Sequence, residues 1–210
     1  MKKLSVFLNA TEKQQIADAI RVAEAKTQGE LVCVIAPASN DYRYLPLLLA
    51  TLAALSLPAI VWLSQVWWTQ AEVYLAQVAL FLLALLILQW PPVKMRLIPR
   101  SGQRKQAARL AREQFYAQQL HNTRDRTGVL LFVSVAEHYV EILADEGINA
   151  KVAPGTWDSI VKNFVAQLAA GRIAPGFLEA VAACATILAE HCPARIENPN
   201  ELPNRLIELE

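Results

Sequence analysis

Charge is missing from the middle of this chain. Between Arg43 and Glu72 there is no Asp, Glu, Lys or Arg, and between Glu72 and Lys94 there is again none. Each interval exceeds the roughly 20 residues that an apolar helix needs to cross a hydrocarbon core. The block Tyr44 to Trp90 is therefore predicted to be a transmembrane helical hairpin, 44–90, with spans at about 44–66 and 72–90. Cysteine is scarce too. Cys33, Cys184 and Cys192 are odd in number and lack C-x-x-C spacing, which argues against a disulfide framework or a thiol-based zinc or redox motif and for free or buried thiols. There is no Cys-x5-Arg loop and no D-x-D pattern, and His121, His138 and His191 are scattered. A nucleophile or metal-activated water aimed at phosphorus thus has no motif to supply it. The N-terminus begins with Met1-Lys2-Lys3, but Thr11-Glu12-Lys13 cuts off the short apolar run that follows, so no cleaved signal is expected.

Apolar residues are in excess. They make up 54% of the 210 residues, against ~45 to 50% for a soluble domain, and the excess sits in the uncharged block. Setting that block aside leaves roughly 160 residues, enough for one domain with a core but too few to wrap two further buried helices. Net charge is +1 and says little; its distribution says more. Lys94, Arg96, Arg100, Arg104, Lys105, Arg109 and Arg112 follow the block, whereas the connection Trp67 to Ala71 has neither Lys nor Arg. The positive-inside rule then puts both flanks in the cytoplasm. The expected location is the bacterial plasma (inner) membrane, with two spans and with both termini and the soluble domain cytoplasmic. Tyr42, Tyr44 and Trp90 suit one interface and Trp67, Trp68 and Tyr74 the other. Pro58 is expected to kink the first span. Apart from Glu72 at a boundary, the spans carry no ionisable side chain of the kind that marks ion paths.

Outside the block, helical and strand periods alternate. Thr11 and Gln14 fit a capping box for a helix near 12–27 with an Ile16, Ala19, Ile20, Ala23 stripe. Glu30 to Ala36 is a short, nearly continuous apolar run, as in a strand buried on both faces of an α/β sheet. Pro91-Pro92 and Pro99 mark a stiff connection to a helix capped by Ser101 and running to about Leu120, with Ala108, Ala111 and Phe115 on one face. Its basic residues either touch anionic headgroups, at about 1 kcal/mol each, or form a solvated face; nucleic acid is not expected, because no aromatic pattern accompanies the charge. Gly128 to Val135 and Tyr139 to Ala144 form a hairpin. Trp157, Ile160, Val161, Phe164 and Leu168 stripe one helix, and Leu178, Val181, Cys184, Ile187 and Leu188 another. The tail 194–210 is expected to be extended.

The run Thr123-Arg124-Asp125-Arg126-Thr127-Gly128-Val129-Leu130-Leu131-Phe132-Val133-Ser134-Val135, followed by Val140-Glu141-Ile142-Leu143-Ala144-Asp145 and Gly147-Ile148, resembles the core motif of the TPM domain family. Ala23-Glu24, Thr27, Gly29-Glu30-Leu31, the Trp157 helix and Leu188-Ala189-Glu190-His191 fit the same pattern, and Asn200-Glu201-Leu202-Pro203 resembles the tail of its bacterial membrane subgroup, in which two spans interrupt the domain. The resemblance implies a three-layer α/β/α sandwich, discontinuous over 1–43 and 94–193. It also implies several functions, since relatives have been linked to acid phosphatase activity, photosystem repair, calcium binding and receptor modulation.

Strand directions place a candidate site. A right-handed crossover makes the first two strands parallel, so Glu30, the turn Thr123 to Thr127, and Asp145-Glu146 should gather at the membrane-distal end of the sheet, with Glu137 and His138 at the other. Glu30, Asp125 and Asp145 are candidate oxygen ligands for Ca²⁺ or Mg²⁺. Thr123, Arg124, Arg126, Thr127 and Glu146 complete a candidate ligand or phosphate site, and the competing reading is a surface network of Arg124 and Arg126 with these acids. The expected function is a cytoplasmic-facing binding or accessory module for other membrane proteins; the alternative is a divalent-metal-dependent acid phosphatase near the membrane.

Overall fold

In the computed structural model, residues 7–65, 67–195 and 202–209 are described. The chain runs through α1 (Ala10–Glu24), β1 (Leu31–Ala36), α2 (Tyr44–Ser64), α3 (Gln70–Leu88), α4 (Pro91–Leu97), α5 (Arg100–Ala117), a 3-10 turn at Leu120–Asn122, β2 (Val129–Ser134), β3 (Tyr139–Ala144), α6 (Glu146–Asn149), α7 (Asp158–Ala169), α8 (Ile173–His191) and β4 (Leu206–Glu208). It divides into two compact units, Met1–Ser39 with Arg104–Glu210, and Asn40–Gln103.

In the first unit every residue of β1 and β2 is buried, as the continuous apolar runs predict for strands covered on both faces. The sheet order is β3-β2-β1-β4. β1 and β2 are parallel, with Leu31 opposite Val129, and β2 and β3 antiparallel, with Val129 opposite Ala144. Alternate side chains feed two cores. Leu31, Cys33, Ile35, Val129, Leu131 and Val133 pack with Ile16 and Ile20 of α1, Phe164 of α7 and Phe177 and Leu188 of α8. Val32, Val34, Leu130 and Phe132 pack with Ala107, Ala111 and Phe115 of α5. Helices therefore cover both faces of the sheet, an α/β/α sandwich.

Several element boundaries differ from those read in the sequence. Asn9, not Thr11, caps α1: its side chain accepts from the Glu12 N–H at 2.8 Å, and Glu12 accepts from the Asn9 N–H at 2.8 Å. The same spacing two residues earlier places a carboxylate on the helix dipole, which Gln14 could not. Pro91 and Pro92 occupy the first turn of α4, where a missing N–H costs nothing, so the stiff connection is a short helix. Ser101 lies inside α5 rather than capping it. Asp145 does more than end β3: it caps the single turn of α6 by accepting from the Glu146 N–H at 2.8 Å. A fourth strand, β4, runs parallel to β1 with Val34 opposite Ile207. It comes from the C-terminal tail, of which 196–201 and 210, including Asn200 and Glu201 of the tail motif, lie outside the described residues.

In the second unit α2 continues through Pro58. Its buried residues are Pro46, Ala50 and Ala54, four apart on one face, while α3 has none. Large apolar side chains of both helices are exposed, including Leu48, Leu55, Leu63, Leu75 and Leu86. Lys94 donates to the Asp41 carbonyl at 2.7 Å, tying the two ends of the hairpin together.

Candidate functional site

β-ladder register brings the candidate residues to one end of the sheet. The Val129 N–H donates to the Glu30 carbonyl at 2.8 Å and the Asp145 N–H to the Gly128 carbonyl at 2.9 Å, so Glu30, Gly128 and Asp145 stand side by side across three strands. The turn before β2 is drawn tight against α6. The Gly147 N–H donates to the Arg126 carbonyl at 2.9 Å, and a Cβ on Gly147 would lie 2.2 Å from the Asp125 carbonyl oxygen. Only glycine allows that approach.

The side chains do not converge on a common centre. Asp145, buried, binds Arg126 at 3.2 Å, and the same guanidinium reaches Glu146 at 2.6 Å. These two acids raise the Arg126 pKa by hydrogen bonding and charge. Asp125 turns to Arg195 at 3.1 Å. Glu30, buried, accepts from the Leu202 N–H at 3.2 Å. The threonines hold backbone: Thr123 accepts from the Thr127 N–H at 3.1 Å, and Thr127 donates to the Gln28 carbonyl at 3.1 Å. Arg124 is exposed. Among the described residues no group of three His, Cys, Asp or Glu could hold a metal ion; Glu30, Asp125 and Asp145 share an end of the sheet without forming a ligand set. What the arrangement does is lock the turn, α6 and the tail onto the strand ends.

A buried acid at the same end was absent from the sequence-based site. Glu24, on the last turn of α1, accepts from the Leu31 N–H at 2.9 Å. Burial pushes its pKa up to about 8 against the pull of that hydrogen bond, and Glu30 adds to the rise. It holds its proton at neutral pH. The signal was available, since Glu24 follows Ile20 by four residues and so lies on the buried stripe.

At the other end of the sheet Glu137 accepts from the Ser39 N–H at 2.9 Å and the Ser39 hydroxyl at 2.6 Å, and from the Ser134 hydroxyl. Burial raises the pKa of Cys33 well above the usual thiol value and that of Cys184 to about 12, so both are inert thiols rather than nucleophiles.

The family model described as the TPM domain matches residues 94–187, a span that contains the turn before β2, Asp145 and α7. Residues 94–187 are thus similar to the TPM domain. No curated protein matches it. Among solved structures it is similar to the BA42 protein of the psychrophilic bacterium Bizionia argentinensis sp. nov., determined by NMR, with 22% identity, a TM-score of 0.62 and coverage of 99% of each chain. That likeness shows the fold alone.

Proposed function

We propose that this TPM-domain protein is anchored in a bilayer by α2 and α3 and serves as a binding or accessory module for another membrane protein. One observation carries the anchor: the most apolar window of α2 is only 11% buried and that of α3 is 0% buried. Such surfaces are stable in hydrocarbon and not in water. Exposed aromatics mark the hairpin's two ends, Tyr44 and Trp90 at its base, Trp67, Trp68 and Tyr74 near its turn, as interfacial belts do. Among the described residues, three helices are long and apolar enough to cross a membrane. The third, α8, is read as part of the domain because Phe177, Val181, Cys184 and Leu188 are buried in the sheet's core.

Orientation follows the basic flank, which supports cytoplasmic termini. The module reading favours a surface over a reaction centre, because the acids at the sheet end are engaged in structural ties. Crosslinking in intact cells, with recovery of a specific membrane protein that is lost when the turn 123–127 is replaced, tests it. Release of phosphate from an aryl phosphate with Ca²⁺, Mg²⁺ or Mn²⁺, abolished by Asp145→Asn, would replace the module by the phosphatase reading.

A further inference from the structure

We propose that the base of the α2–α3 hairpin is a binding surface for anionic phospholipid headgroups. The proposal rests on the reading of α2 and α3 as spans and names what their polar end meets. Within Asn40–Gln103 the basic residues are Arg43, Lys94, Arg96 and Arg100, and the acids are Asp41 and Glu72. All four cations belong to the base. Glu72 sits at the opposite end, where it completes a capping box with Thr69 at the start of α3.

Asp41 is already committed: its carboxylate binds Arg43 at 3.1 Å. Its carbonyl takes the Lys94 ammonium at 2.7 Å, which fixes α4 beside the start of α2. Arg96 and Arg100 are exposed and form no ion pair among the described residues. Uncompensated guanidinium groups thus flank the hairpin's base, and the planar fork of each suits two phosphate oxygens at once.

The neighbouring surface decides the class of anion. Leu47, Leu48, Leu86 and Ile87, near the same ends of α2 and α3, are about half exposed or more, as are Tyr44 and Trp90. A free phosphate or a nucleic acid would satisfy the cations and leave these side chains in water. A ligand with a phosphodiester anion joined to acyl chains satisfies both, and a net negative headgroup is needed because a zwitterion carries its own cation.

The test uses the full chain reconstituted in phosphatidylcholine bilayers, with spin-labelled phosphatidylglycerol and spin-labelled phosphatidylcholine compared by electron spin resonance. The labelled anionic lipid should be preferred roughly fivefold or more, the effect of a single basic residue at a membrane surface, and the preference should shrink as salt is added. The R96Q/R100Q double variant should bring it close to unity, and R96K/R100K, which keeps the charge, should retain most of it. Equal association of the two lipids with the wild type, or an undiminished preference in R96Q/R100Q, overturns the proposal while leaving the anchor in place. A chain that does not incorporate into the bilayer overturns the anchor and the headgroup surface together.

Discussion

Glu24 is an acid that the fold buries. Its pKa in the folded chain, about 8, lies above the ordinary 4.5, so the native state holds a proton that the unfolded chain releases. The sign follows directly: the stabilisation is complete below about pH 4.5 and is lost as pH rises through about 8. The group should cost up to about 1.4 kcal/mol per pH unit inside that window. Glu24→Gln keeps an acceptor for the Leu31 N–H and cannot ionise, so its thermal melting should fall less than that of the wild type between about pH 5.5 and pH 8. Parallel curves would contradict the buried-proton account. Gly147→Ala is expected to destabilise by about 1–3 kcal/mol, measured by denaturant unfolding, because the carbonyls of Asp125 and Arg126 occupy the space a methyl group needs. Asp145→Ala removes the α6 cap at a cost of about 1 kcal/mol, and the loss should appear in the same measurement. That Glu30, the 123–127 turn and Asp145 share one end of the sheet was legible, since strand direction alone dictates it. The pairing of Arg126 with Asp145 and Glu146 was legible as the competing surface network, but the partners of Asp125 and Glu30 were not: Arg195 and Leu202 come from the tail, and no periodicity reveals where a tail folds back.

Among elements, β4 and the hairpin make opposite demands on sequence reading. The hairpin announces itself by an absence of charge that persists over two whole segments. β4 has three residues, too few for an alternating pattern, and its place is set by pairing to β1 and by the ion pair of Glu208 with Lys13 at 2.7 Å. Truncation after Arg195 would leave one side of β1 with open backbone donors and acceptors, an invitation to intermolecular pairing. The truncated chain should melt lower and aggregate on heating, as light scattering would show; unchanged melting would mean that β4 contributes little. Helix starts were misplaced for a related reason. Asn9 with Glu12 and Thr11 with Gln14 have the same spacing, and only the charge on Glu12, matched to the helix dipole, separates them.

At the scale of the molecule, one domain accommodates an inserted hairpin because the insertion falls between β1 and α5, in the crossover that joins two parallel strands. The α/β/α layers close without it: α1, α7 and α8 cover one face of the sheet and α5 the other. Local patterns in the sequence carry the buried strands and striped helices of an α/β sheet, and the three layers follow from the resemblance to the TPM family, whereas the ties of Asp125 and Glu30 depend on a tail brought from a distant segment. Two kinds of apolar helix stand among the described residues. α8 is long and apolar enough to cross a membrane, yet 44% of its most apolar window is buried; for α3 the figure is 0%. Alkaline carbonate extraction of cell membranes tests that distinction most directly, comparing the full chain with one in which 44–90 is replaced by a Gly/Ser linker. The full chain is expected in the membrane pellet and the replaced chain in the supernatant. Release of the full chain, or retention of the replaced chain in the pellet, would contradict an anchor made of α2 and α3.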